Sequence, residues 1–107
     1  MAEEILIFVT CPANQAEAIA TPLVQERLAA CVNIMSSIVS IFFWKDSLCK
    51  ENESLLLIKS SKKLWHALET RICELHSYEV PEIICVPIDT GHHPYLDWLN
   101  KTVGQKL

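Results

Sequence analysis

The chain has 107 residues, half of them hydrophobic, and a formal charge of −4 at neutral pH. That length suits one domain over residues 1–107. A monomer of this size hides only about 60–70% of the surface its unfolded chain exposes, so apolar patches asking for a second copy are expected. The acidic balance without a basic cluster argues against nucleic acid or an anionic membrane as partner, and no apolar run approaches the roughly 20 residues of a membrane span.

Met1-Ala2-Glu3-Glu4 lacks the basic segment that opens a secretory signal. The five cysteines, Cys11, Cys31, Cys49, Cys73 and Cys85, are odd in number and never spaced C-x-x-C. A disulfide framework or a structural zinc site is therefore not expected, and a reducing cytoplasm is the expected compartment.

Ile5-Leu6-Ile7-Phe8-Val9-Thr10 reads as a buried first strand, broken by Cys11-Pro12-Ala13. Asn14, with Glu17 three residues on, resembles a capping box. Ala16, Ile19, Ala20, Leu23, Val24 and Leu28 recur at helical spacing, which predicts an amphipathic helix over 14–29, kinked at Pro22 rather than ended by it. Residues 31–44 form a long β-prone run that changes phase at Ser36-Ser37, as a bent or bulged strand would. Val32, Ile34, Val39, Ile41 and Phe43 fall on one face, and Met35, Ile38, Phe42 and Trp44 on the other. A strand apolar on both faces needs cover on both.

A polar turn is expected over 45–52, then a third strand over 53–59 pairing back as a hairpin. Ser60-Ser61 suits the cap of a second helix with Leu64, Leu68, Ile72 and Leu75 as its buried stripe, ending before Pro81. Residues 82–88 make a fourth strand whose Pro87 fits an edge or strand end, and a terminal helix begins near Tyr95 after Gly91-His92-His93-Pro94. The order βαββαβ plus a terminal helix is an α+β, ferredoxin-like arrangement: an antiparallel sheet with both helices on one face. Its other face asks for a partner.

At Leu28-Ala29-Ala30-Cys31-Val32-Asn33-Ile34 the sequence resembles the CutA divalent-cation tolerance family. The likeness continues through 40–44, Glu53, 55–59, Gly91, 95–98 and Val9-Thr10-Cys11-Pro12, and strongly through Tyr78-Glu79-Val80-Pro81-Glu82-Ile83. It implies a cytoplasmic homotrimer of ferredoxin-like subunits, similar in assembly to nitrogen-regulatory signalling trimers and linked to tolerance of copper and other divalent cations. Where this chain has Ser36-Ser37, Asp46, Ser60 and Ser77, the family usually has Pro-Gly, Gly, Thr and Pro. The copper site assigned in some members uses a Cys before the first-strand Thr and two consecutive His. Here Val9 takes the Cys position, Leu75 the first His position, and only His76 matches.

In this topology the first strand ends, the second helix ends, and the third and fourth strands begin at one rim. Cys11, Glu53, His76, Tyr78 and Glu82 should gather there with Trp44 close by. Thiol, imidazole and carboxylate could hold a divalent transition metal, copper first, with Cys11 and His76 as the donors. The plainer reading is a polar rim in which Tyr78 and Glu82 bind loop backbone and His76 caps a helix end. Lys59 and Glu53 form a possible ligand pair on the third strand, or an ordinary polar strand boundary. His92-His93 reads as an exposed surface pair. Cys31, Cys73 and Cys85 read as buried small hydrophobes, and Cys49 as an exposed turn thiol. Trp65 and Trp98 fit helix packing; Trp44 fits an intersubunit contact. No nucleophile elbow, Walker or Rossmann fingerprint is present, and the first strand-to-helix turn lacks the Arg an acylphosphatase needs, so an enzyme is not expected. Two functions remain: a metal-binding trimer in cation tolerance, or a trimeric signalling or scaffold module that binds a small ligand or protein in its clefts.

Overall fold

Alternating apolar residues build the central strand β1 (Glu4–Pro12), whose Ile5, Ile7, Val9 and Cys11 point one way and are buried. The computed structural model describes residues 3–104; Met1 and Ala2, half of the leader reading, and residues 105–107 lie outside the described residues. A 3-10 turn (Ala13–Gln15) leads into α1 (Ala16–Gln25), followed by β2 (Cys31–Trp44) and β3 (Ser47–Ser61). A second 3-10 turn (Lys62–Leu64) precedes α2 (Trp65–Leu75), then β4 (Ile83–Pro87) and α3 (His93–Thr102). The strands lie in the order β2-β3-β1-β4, every neighbour antiparallel. This is the expected α+β, ferredoxin-like sheet. Pro87 ends β4, an edge strand, where a missing N–H costs nothing.

Ile19 and Leu23 of α1 and Leu68 and Ile72 of α2 meet Ile7, Val9, Leu56 and Ile58 in one core. Each fully buried aliphatic side chain contributes about 1.5–3 kcal/mol. A second cluster of Ala30, Leu99 and Val103 seats α3 beside Leu64.

Several boundaries differ from the expectation. The helix predicted to run to 29 ends at Gln25, because Arg27 takes a left-handed φ of 61°. Arg27 N–H then donates to the Val24 carbonyl and Leu28 N–H to the Leu23 carbonyl, a Schellman closure with Arg where glycine is usual. Asn14 does not cap; the chain starts helical winding as a 3-10 turn after Pro12, with no side-chain cap bond. Neither serine caps the second helix: Ser60 Oγ donates instead to the Leu28 carbonyl at 2.6 Å, and Ser61 makes no side-chain cap bond. Trp98 is half-exposed and forms a tilted pair with Tyr95, ring centroids 5.5 Å apart, and Cys73 faces solvent on the outer side of α2.

The eight-residue polar turn expected over 45–52 shrinks to Lys45 and Asp46, with φ of 50° and 66°. Two left-handed residues in a two-residue loop match the twist of a hairpin, so the ladder closes at Trp44 opposite Ser47. The bulge falls where the phase change predicts: the register shifts between Met35 and Ile38, and Ser37 has a φ of 64°.

β1 pairs with β3 only as far as Pro12 opposite Glu53. From Asn52 to the turn, β2 and β3 therefore form a two-stranded arm. It stretches the molecule to 44 × 28 × 22 Å and lifts the radius of gyration to 14.4 Å, against about 13 Å for a compact chain of this length. On the helix side of the arm Val39, Ile41, Phe43 and Leu48 are 53–74% exposed, and Phe42 and Trp44 emerge on the opposite side.

Candidate functional site

Residues opposite one another in an antiparallel pair share a face. Ser54 opposite Cys11 thus looks toward the helices, whereas Glu53, Glu51 and Cys49 share the helix-free face with Phe42 and Trp44 of the partner strand. Where β1 ends, the 76–82 segment wraps around the rim between α2 and β4.

Its hydrogen bonds hold that rim together. Tyr78 backbone N–H donates to His76 Nδ1 at 3.1 Å, so the ring proton sits on Nε2, which donates to the Thr10 carbonyl at 2.7 Å. Both imidazole nitrogens of this buried histidine are engaged. Thr10 Oγ1 donates to Glu82 Oε1 at 3.3 Å, tying the start of β4 to the end of β1. Glu53, 3% exposed, accepts from the Tyr78 hydroxyl at 2.7 Å. A carboxylate removed from water needs such a donor.

The same geometry sets the proton affinities. Burial, then the hydrogen bond to Glu53 and the charges of Glu53 and Glu51, push the Tyr78 phenol well above its ordinary range. Burial, and then the Glu53 charge, push the Cys11 thiol up, so it stays protonated at neutral pH and is a poor ligand or nucleophile in that state.

The structure thus brings Cys11, Glu53, His76, Tyr78 and Glu82 to one rim, with Trp44 beside Tyr78 across a groove. Lys59 lies elsewhere. It pairs across the sheet with Leu6 and Cys31, six residues from Glu53 along β3, about 20 Å at strand rise. His92 and His93 sit at the start of α3, both exposed, with His93 Nδ1 3.5 Å from Asp97 Oδ1. Among the described residues no group of three or more His, Cys, Asp or Glu stands ready for a metal ion. With His76 doubly bonded and Cys11 buried and protonated, the donor set of one chain does not fit a preformed metal centre.

The groove itself was only half visible in the sequence. It is an open cleft of about 380 Å³ between the arm, which supplies Phe42, Trp44, Cys49 and Glu51, and the loop carrying Tyr78, Glu79 and Val80. Lys45 Nζ lies 5.8 Å from the Trp44 ring centroid and 3.9 Å from Glu79 Oε1. Sequence reasoning missed Thr10, Phe42, Glu51 and Glu79. Period-2 alternation from Glu53 back to Glu51 and Cys49 would have found the arm's share, had the strand been extended toward Ser47.

A family model described as CutA1 divalent ion tolerance protein matches residues 5–102. The chain is 42% identical over 102 residues to the Divalent-cation tolerance protein CutA of Thermus thermophilus, covering 94% of this chain and 99% of that one. It is 42% identical over 95 residues to Protein CutA of Homo sapiens, covering 88% of this chain and 53% of the human one, so it spans about half that relative's length. The crystal structure of CutA1 from Oryza sativa superposes with a TM-score of 0.93 at 35% identity, covering 98% of this chain and 97% of that one. This chain belongs to the CutA1 divalent ion tolerance family.

Proposed function

We propose that the protein serves divalent-cation tolerance, copper first, as a cytoplasmic homotrimer that binds metal and catalyses no reaction. What carries this reading is near full-length membership of a family named for that role. The exposed apolar arm supports self-association, since one chain leaves Ile41, Phe43 and Leu48 in water. Cys11 and His76 are the proposed first donors. Cys11 and His76 would hold a metal only after one of the two imidazole hydrogen bonds opened and the thiol lost its proton, so affinity would rise with pH. Calorimetric titration with Cu(II), Cu(I) and Zn(II) tests the reading. Tighter binding by the wild type than by a Cys11→Ala, His76→Ala, His92→Ala, His93→Ala variant is the expected result; equal binding would sink it.

The groove favours a second reading, a signalling or scaffold assembly whose clefts take a small ligand. Its volume lies in the range of small-molecule sites, and it combines aromatic walls with a few charged groups. A ligand retained through purification and identified by mass spectrometry would support it over the first.

A further inference from the structure

We propose that the groove between the arm and the 78–80 loop binds an organic cation, an ammonium group carried on an apolar body. The proposal rests on the second reading above and names the class of ligand that reading leaves open. Three observations converge on it. Phe42, Trp44 and Tyr78 bring three aromatic rings to the cleft, and ring faces attract ammonium groups within about 6 Å. Glu51 and Glu79 add carboxylates on opposite walls, Glu53 lies behind the Tyr78 hydroxyl, and no basic side chain is among the described lining residues. An anionic ligand would meet two carboxylates here, set against one loosely held ammonium, that of Lys45 at the edge of the groove.

The third observation is the chain's own cation. The Lys45 ammonium, on the turn at the tip of the arm, sits against Trp44 and Glu79, an aromatic and an acid that an incoming ammonium would use. It is tethered and loosely held: both partners of its 3.9 Å ion pair are 74% exposed, where such pairs contribute little. A free ligand that also fills the apolar floor can displace it. A divalent metal is the poorer match, because the carboxylates here are not joined by the third donor a coordination shell needs.

Benzyltrimethylammonium chloride, titrated calorimetrically into the purified wild-type protein at low salt, tests the proposal against benzyl alcohol and sodium benzoate. Saturable binding of the ammonium alone is expected. It should weaken about tenfold in Trp44→Ala, where the cation–π face is lost, and roughly two- to fivefold in Glu51→Gln or on raising the salt. Trp98→Ala, at an aromatic pair elsewhere, should leave it unchanged, and Lys45→Asn should tighten it. Light scattering on each variant checks that assembly is intact; where Trp44→Ala changes the mass, Glu51→Gln and Lys45→Asn decide. Equal binding of benzyl alcohol, or indifference to Glu51→Gln and Lys45→Asn, would overturn the proposal. Binding of benzoate in place of the ammonium overturns it while leaving a ligand cleft standing; no binding by any probe overturns it too, and the search for a ligand retained through purification then decides the reading on which it rests.

Discussion

Tyr78 joins the two halves of the rim. Its backbone N–H fixes the His76 tautomer and its hydroxyl satisfies the buried Glu53. Tyr78→Phe leaves that carboxylate without this donor, and about 1–3 kcal/mol of stability should be lost at neutral pH, read from the urea midpoint. The same contacts set an alkaline limit. Cys11 and Tyr78 both have folded-state proton affinities raised above their ordinary values of 9.0 and 10.0. The folded state holds these protons more tightly than the unfolded chain, so their contribution is complete below about pH 9 and is lost as pH rises beyond it. The pH slope above 9 should be shallower in Cys11→Ala and in Tyr78→Phe than in the wild type; parallel slopes would contradict the assignment. Cys11, Glu53, His76, Tyr78 and Glu82 were legible as one group because strand and helix ends in this topology share a rim. Thr10 was not, because its contribution includes a backbone carbonyl that no side-chain pattern announces.

Among the elements, the faces of the strands followed from periodicity and the sheet from the element order; the helix caps expected at Asn14 and Ser60-Ser61 do not form, and the two largest boundary differences lie where non-glycine residues hold left-handed backbone. Arg27 ends α1 and Lys45-Asp46 closes the hairpin, both without the glycine that usually signals such turns. Without that signal, the stretch from Lys45 to Asn52 read as a polar turn, although its residues alternate between the two faces of a strand. The same residues predict where the chain can be strengthened. Ser37 and Asp46 sit at φ of 64° and 66°, a region that costs an L-residue about 1–2 kcal/mol. Ser37→Gly and Asp46→Gly should each raise stability by about 0.5–1 kcal/mol with the fold unchanged, seen as a higher urea midpoint at constant slope. A loss of stability at either position would show that the side chain makes a compensating contact.

At the scale of the molecule, a ferredoxin-like body carries an arm that one chain cannot cover. Light scattering at micromolar concentration should give a mass near three chains, and Ile41→Asp with Phe43→Asp should shift it toward one; a stable wild-type monomer would refute the trimer. The arm also sets an order of events in folding. Residues 38–53 are close in sequence, and hairpins of this kind close in about 1–10 μs, whereas a second chain arrives in milliseconds to minutes at a rate set by concentration. On the proposed assembly, a newly folded chain passes through an interval in which a finished, two-stranded ribbon displays Val39, Ile41, Phe43 and Leu48 beside an unpaired strand edge. Dilution lengthens that interval, and crowding by other unfolded chains makes it hazardous. Refolding yield should therefore peak at an intermediate protein concentration: the segment that would recruit the correct neighbour in the proposed trimer is the one most exposed to capture by a wrong one.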